Sequence, residues 1–142
     1  MAKSAIYTAN TSAAAITLTA AQPTSAIPLG TIIRRYGCNT NLSGNGILLD
    51  GDGYYFLDAS VTATATSAGN YTVALYQDGV AVPGATQTVT AAAAGTFTIN
   101  IPDLLRLKCC GSSATLTLAL STTATLPATV TVNNVGVVAI KT

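Results

Sequence analysis

Residues 53–79 read GYYFLDASVTATATSAGNYTVALYQDG, and this stretch decides the fold class. Apolar and polar residues alternate in two runs, which Ser-Ala-Gly separates and Asp-Gly closes. A period of two puts alternate side chains on opposite faces of a β-strand, whereas a helix would scatter them around its axis. The stretch therefore predicts two antiparallel strands with one buried face. The predicted inward side chains are those of Tyr55, Leu57, Ala59, Val61, Ala63, Ala65, Tyr71, Val73 and Leu75.

The same pattern continues through the rest of the chain, with Gly, Asn and Asp turns between short β-prone runs. Short strands at regular spacing without a helical period are typical of a β-sandwich or jelly roll. We expect an all-β, antiparallel β-sandwich of the jelly-roll type at residues 29–142, preceded by an extended N-terminal arm at residues 1–28. Pro102-Asp103 is expected to turn the chain, and Ala91–Ala94 to form a loop.

The composition limits the kinds of partner that the chain can bind. The chain has 142 residues, of which 49% are hydrophobic and only 8% charged, with a formal net charge of +1. This length suits one domain with a single core. A nearly neutral surface lacks the positive charge that holds nucleic acid or anionic membranes, so we expect neither as a partner. Low charge also gives little repulsion between copies, which favours a chain that works in an assembly.

Segments for export or membrane insertion are not evident in the pattern. Polar residues interrupt the first 19 positions, where a secretory signal would need a continuous apolar core. No run approaches the roughly 20 apolar residues that span a bilayer as a helix. We therefore expect synthesis in the cytoplasm.

Residues suited to catalysis are scarce. The chain has no His and no Trp, and all five of its acidic residues are Asp, so a Ser-His-Asp or Cys-His arrangement cannot form. Asp50 and Asp52 form a weak calcium candidate, but the complete loop signature needs further oxygen ligands and a closing Glu. Tandem Asp-Gly turns explain the two residues more simply. We expect no enzyme activity, no cofactor and no metal.

The three cysteines are Cys38, Cys109 and Cys110, an odd number without the spacing of a zinc site. Neighbouring residues on a strand point to opposite faces, so at most one of Cys109 and Cys110 easily faces the core. Free thiols and a disulfide to Cys38 both stay open. Cytoplasmic synthesis favours the free thiols.

The C-terminal run ValGlyValValAlaIle at 135–140 is apolar on both faces. One face can fill the core. The other must pack against a second surface, because monomers rarely leave a contiguous apolar patch exposed to solvent. A neighbouring subunit is the favoured cover, and the N-terminal arm of the same chain is the alternative. The predicted subunit-interface residues are Tyr76, Val135, Val137, Val138 and Ile140. Lys3, Arg34 and Arg35 are candidates for contact with a partner, with adjacent Arg34 and Arg35 expected to diverge.

The segment 46–79 resembles the tumour-necrosis-factor-like and complement-head-like jelly rolls. The resemblance lies in a Gly-x-Tyr-x-aliphatic-x-x-x-Val strand, formed by Gly53, Tyr55, Leu57 and Val61, and in a strand that ends Leu-x-x-Asp-Gly at residues 75–79. It continues more weakly through PheThrIleAsnIle, LeuLeuArgLeu and the closing valine-rich strand. It implies a compact homotrimer whose last strand lines the three-fold axis.

The short, Ala- and Thr-rich chain also looks like the small virion proteins of tailed bacteriophages. That likeness implies a capsid decoration, or cement, protein that binds the major capsid protein on the outside of a phage head. The alternative is a receptor-binding knob of a fibre or tail, with loops such as 39–45 or 111–113 against host sugars. In either role, the protein would be made in the bacterial cytoplasm and would end in the virion.

Overall fold

A computed structural model describes residues 3–108 and 113–142, and within them the chain is all-β with no helix. It follows that no described helix could cross a membrane. The strands in the described residues are β1 (Ser4–Asn10), β2 (Ala14–Leu18), β3 (Thr24–Ala26), β4 (Thr31–Tyr36), β5 (Thr40–Ser43), β6 (Gly46–Asp50), β7 (Gly53–Ala65), β8 (Gly69–Gln77), β9 (Val80–Ala91), β10 (Thr96–Leu107), β11 (Ser113–Thr122) and β12 (Ala128–Lys141).

The strands form two antiparallel sheets of six strands each. The first sheet has the order β10-β7-β12-β1-β4, with β2 paired to β12. The second has the order β5-β6-β11-β8-β9, with β3 paired to β11. Neighbours in each sheet are mostly distant in sequence, as in a sandwich whose chain crosses repeatedly between layers. The predicted antiparallel β-sandwich is confirmed.

The alternation in β7 and β8 has the predicted phase. Every member of the inward set named above is at most 1% exposed, including the large rings of Tyr55 and Tyr71. These side chains meet Leu116, Leu118 and Leu120 of β11 and the inward side chains of β12 in a single core. The period of two read from the sequence thus corresponds to burial between the layers.

The sequence pattern predicts two C-terminal strands, at residues 128–132 and 135–141, linked by Asn133-Asn134. The structure has one strand, β12, in their place. Opposite β7, the pairing shifts between Val132 and Asn134, which leaves Asn133 as the extra residue of a β-bulge. The bulge changes the inward phase, so that Val132 and Val135 are both buried although they are three residues apart. The Asn133 amide donates to Thr64 Oγ1 at 2.9 Å. The Asn-Asn pair is therefore a bulge and not a link between strands.

Proline does not end strands in this chain as expected. Strand β10 continues through Pro102 and Asp103, which pair with Asp58 and Leu57 of β7. Because β10 is the edge of its sheet, a proline there can direct its missing N–H away from the ladder. Pro83-Gly84, which as a pair of turn residues would predict the end of a strand at Val82, likewise lies within β9, at an irregularity in its pairing with β8. The loop expected at Ala91–Ala94 begins one residue later, because Ala91 is the last residue of β9.

The predicted N-terminal arm is built into the sandwich from its first described residues. Strand β1 lies between β12 and β4 in the first sheet, and Ile6 is 1% exposed. Strand β2 extends the same sheet, whereas β3 joins the second. Leu18 and Ile27 are completely buried. Residues 4–27 thus supply core side chains, from β1 and β2 in the first sheet and from Ile27 beside the second, and a boundary at residue 28 does not separate an extension from the fold.

Candidate interaction surface

The outward side of the first sheet carries most of the exposed apolar surface of the described residues. We call this side the open face. Eight of the nine large hydrophobic residues that are exposed belong to strands of this sheet, and Val80 is the exception. The eight are Tyr7, Ile32, Ile33, Tyr36, Tyr54, Phe56, Leu104 and Ile140. Ile32 differs from the others, because it pairs with the buried Thr8 and so lies on the inward side of the sheet edge. Scattered apolar side chains are ordinary on a protein surface, but a set concentrated on one sheet indicates an interaction site.

Five of the side chains on the open face lie in register on five successive strands. Leu104 pairs with Phe56, Phe56 with Ile140, Ile140 with Ala5, and Ala5 with Tyr36. Partners directly opposite in an antiparallel pair point to the same side, so these residues form one line across the sheet. We call this line the apolar row. Its four large members are between 41% and 70% exposed.

The next line of the open face mixes apolar groups with two charges. It runs Pro102, Asp58, Val138, Tyr7 and Arg34, again one residue from each strand. Beyond it, the open face becomes polar, with Thr62 and Thr98 joined at 3.2 Å and Thr64 and Thr96 at 3.1 Å through their hydroxyls. The apolar surface therefore lies toward the end of the sheet that holds the apolar row.

A shallow groove of about 630 Å³ crosses the open face between β1, β4 and β12. Its walls include Tyr7, Arg34, Tyr36, Val138 and Ile140. At the opposite edge, the guanidinium of Arg106 lies 5.7 Å from the ring centroid of Tyr54, a cation–π contact. The face thus has an apolar centre with one arginine near each edge.

The outer face of the second sheet is different in character. Thr72 and Thr88 share a hydroxyl hydrogen bond of 2.7 Å, and Thr90 donates to Asn70 at 2.7 Å. Such cross-strand polar pairs satisfy each other and contact water at little cost. Nothing on this face compares with the apolar row within the described residues.

The predicted interface residues divide between three places. Val138 is half-buried and Ile140 is 41% exposed, and both lie on the open face. Val135 and Val137 are at most 2% exposed and belong to the core of the protomer itself. Tyr76 lies in β8 of the second sheet, opposite Thr117, and is not brought together with the others. The open face therefore includes two of the five.

Sequence reasoning missed most of the apolar row. Leu104, Phe56 and Tyr36 are each adjacent to an inward side chain or to charged residues, and single-strand patterns do not show which strands become neighbours. An available signal was the outward phase of Phe56, which alternates with the buried Tyr55 and Leu57.

The three predicted cationic contact residues lie on or beside β1 and β4. Arg34 and Arg35 diverge as expected, since Arg34 pairs with Tyr7 on the open face while Arg35 Nε donates to the Thr40 carbonyl at 2.6 Å. Lys3 is exposed just before β1. Their role as contacts to a partner stays a prediction.

Gly51 and Asp52 connect β6 to β7. The Tyr55 hydroxyl lies 2.9 Å from the carbonyl oxygens of Asp50 and Gly51. No group of three or more metal-binding side chains occurs in the residues that the structure describes. A Cβ on Gly51 would stand 3.8 Å from the Lys141 ammonium, so a cation already lies beside this turn. That positive charge disfavours calcium at Asp50 and Asp52.

Cys38 is exposed and is a free thiol. Cys109 and Cys110 lie outside the described residues, as do Gly111 and Ser112 of the second candidate loop. The first candidate loop, 39–45, consists largely of β5 and the turn of the β5–β6 hairpin.

Solved structures share this architecture although no family model and no curated protein matches the sequence. Murine APRIL superimposes with a TM-score of 0.70 at 8% identity, covering 99% of this chain and 100% of that chain. Eiger TNF from S. frugiperda gives a TM-score of 0.63 at 11% identity, with coverages of 98% and 91%. The fold is the tumour-necrosis-factor-like jelly roll. The predicted fold is thereby confirmed.

A vertex protein has the same fold. PRD1 vertex protein P5 superimposes with a TM-score of 0.63 at 15% identity, covering 97% of this chain and 72% of that chain. Identities this low establish common architecture and no shared activity. None of the three is described as an enzyme.

Proposed function

We propose that this chain is a structural virion protein that assembles as a homotrimer and decorates the outside of a phage head. The observation that carries the proposal is the apolar row, an exposed line of side chains across five strands of a protein with few charges. A surface of this kind gains free energy when a second copy covers it, at about 25 cal/mol for each Å² of apolar area buried. Self-association is therefore the first step of the function.

A trimer follows from the resemblance to jelly rolls whose last strand lines a three-fold axis. Strand β12 is central in the first sheet and contributes Val138 and Ile140 to the open face. Closed rings of identical copies bury the same surface in every copy and leave no growing end. The outer, threonine-rich face of the second sheet would then point away from the axis.

Attachment to a capsid is supported by the likeness to a vertex protein and by the virion-like composition. The major capsid protein is the proposed partner, with Lys3 and Arg35 as candidate contacts. Contacts of about 1,600 Å² suffice for stable attachment, and three equivalent contacts in one trimer reinforce one another. No catalytic step is needed for such a role.

The test adds purified protein to heads of the encoding phage that lack it and counts the bound copies. Decoration predicts many copies per particle, binding to empty heads, and greater resistance of the heads to heat. No binding to heads would overturn decoration, and a wild-type chain that stays monomeric at micromolar concentration would overturn the trimer as well.

A receptor-binding knob is the second candidate, favoured by the vertex position of PRD1 protein P5. A vertex or fibre position implies few copies per particle. In that role the purified trimer would bind host cells and compete with phage adsorption, whereas a decoration protein would do neither.

A further inference from the structure

Asp58 is an acidic side chain placed within the surface that the trimer would cover. Asp50 ends β6 of the second sheet, Asp52 and Asp78 lie in turns, and Asp103 occupies an inward position of β10. Asp58 is therefore the acidic residue of the open face. Its cross-strand neighbours on that face are Pro102 and Val138. A carboxylate covered by apolar surface without a partner loses far more hydration energy than the contact returns.

No charged side chain of residues 3–108 and 113–142 pairs with Asp58. Among the described residues, it has neither a hydrogen bond from a side chain nor a salt bridge, and Arg34, on the same line of the sheet, has none either. Three strand spacings separate β7 from β4, which is about 14 Å at the usual spacing of ~4.8 Å. The two charges therefore cannot meet inside one copy.

We infer that Arg34 of one copy forms an ion pair with Asp58 of the next across the open face. This inference rests on the proposed homotrimer. Each copy carries Asp58 near one edge of the open face and Arg34 at the other edge. In a ring of head-to-tail contacts, one edge of each copy meets the opposite edge of its neighbour, so the two charges can pair. The arginine fork can donate two parallel hydrogen bonds to a carboxylate, so the pair would also fix the register of the contact.

Other cations of the chain suit this position less well. Arg35 donates to the Thr40 carbonyl, Arg106 lies over Tyr54, and Lys141 is only 7% exposed at the end of the sandwich. Lys3 precedes β1 and lies beyond the apolar row, whereas Arg34 stands on the same line as Asp58. Lys108 is exposed just beyond the end of β10 and has no proposed contact, so it is the matched control for Arg34.

The test exchanges the charges and measures assembly by sedimentation equilibrium. Asp58→Arg and Arg34→Asp should each raise the dissociation constant of the trimer by at least about 30-fold, because each leaves a like-charge or unpaired contact in the interface. The double variant should recover most of the wild-type affinity. The controls Lys108→Asp and Asp52→Arg make the same charge changes elsewhere and should leave assembly unchanged.

Circular dichroism of each variant checks that it folds, which we expect because both side chains are exposed. Single variants that assemble as well as the wild type, or a double variant no tighter than the singles, would overturn the ion pair while the trimer stands. A monomeric wild-type chain would overturn the trimer itself and the ion pair with it. The mass of the wild type thus separates the two failures.

Discussion

The rings of Tyr71 and Phe97 stack in the core, with centroids 5.4 Å apart and planes inclined by 19°. Tyr71 comes from β8 of the second sheet and Phe97 from β10 of the first, so the pair joins the two layers. The Tyr71 hydroxyl donates to the Ser67 carbonyl, which keeps the buried oxygen satisfied. One contact thus combines apolar burial, aromatic geometry and a hydrogen bond.

Phe97→Ala should lower the free energy of unfolding by about 3–5 kcal/mol, because it removes the stack and leaves a cavity between the sheets. Urea unfolding followed by tyrosine fluorescence at a fixed protein concentration measures the change, since assembly would add to stability. The control Thr98→Ala changes an exposed neighbour and should have a much smaller effect. If both variants lost the same free energy of unfolding, the Tyr71–Phe97 stack would not be an important source of stability.

Local alternation was sufficient to predict the core side chains of β7 and β8, but not those of residues 4–27, which belong to the core as well. Tyr55 and Tyr71 have the predicted inward phase, because a strand in a two-layer sandwich has one solvent-exposed face and one buried face. The bulge at Asn133 shows the limit of this reasoning. The change of phase between Val132 and Val135 was visible, but one extra residue in a strand and a short link between two strands give the same pattern.

The open face could be predicted only in part. Val138 and Ile140 were found because apolar residues on both sides of one strand need two covers. Leu104 and Tyr36 join the same row only through the strand order, which brings residues 68 positions apart onto one line. Pairing between distant strands depends on the whole topology, so the sequence of one strand does not show which strands will be its neighbours.

Ile140→Asp should release monomers that remain folded. Ile140 is central in the apolar row, between Phe56 and Ala5, and a carboxylate there would lose its hydration in the assembled state. We expect the dissociation constant of the trimer to rise at least about 30-fold, equivalent to ~2 kcal/mol. Sedimentation equilibrium measures the mass, and circular dichroism reports the fold.

Val80→Asp is the control for this substitution. Val80 is 70% exposed in β9 of the second sheet, so the same kind of change is made away from the open face. Its assembly should equal that of the wild type. If the Ile140 variant also assembles normally, the apolar row is not the subunit contact.

Asp103→Asn should raise the free energy of unfolding at neutral pH by about 1 kcal/mol, because it removes a charge from a partly buried position. Asp103 occupies an inward position of β10, and its Oδ2 is buried without a hydrogen-bond partner among the described residues. Burial raises the pKa of this carboxyl above its ordinary value of 3.8, partly offset by the backbone N–H of Leu104.

A raised pKa means that the folded state favours the neutral acid. The wild type should therefore gain stability as the pH falls through the folded-state pKa, and the advantage of Asp103→Asn should shrink over that range. Urea midpoints across acidic pH measure the difference, with Asp52→Asn in an exposed turn as the control. A difference that does not change with pH would contradict this account.

The Tyr55 hydroxyl should make stability depend on alkaline pH. Burial, and then the negative charges of Asp50 and Asp52, raise the pKa of Tyr55 above its ordinary value of 10.0. Because the folded state favours the neutral phenol, this contribution is complete below about pH 10 and is lost as the pH rises through the folded-state pKa. Tyr55→Phe should lower the stability at neutral pH by about 1–2 kcal/mol, since the Asp50 and Gly51 carbonyls lose their donor.

The difference in stability between Tyr55→Phe and the wild type should then become smaller at alkaline pH, because the wild type loses the contribution of its neutral hydroxyl there. Tyr36→Phe is the matched control. The substitution also removes one hydroxyl, but the Tyr36 ring is 70% exposed, so the core is unchanged. Thermal midpoints from neutral to alkaline pH measure both variants. Parallel curves for the wild type and Tyr55→Phe would show that the hydroxyl ionises equally in both states, and would disprove the link between the β6–β7 turn and alkaline stability.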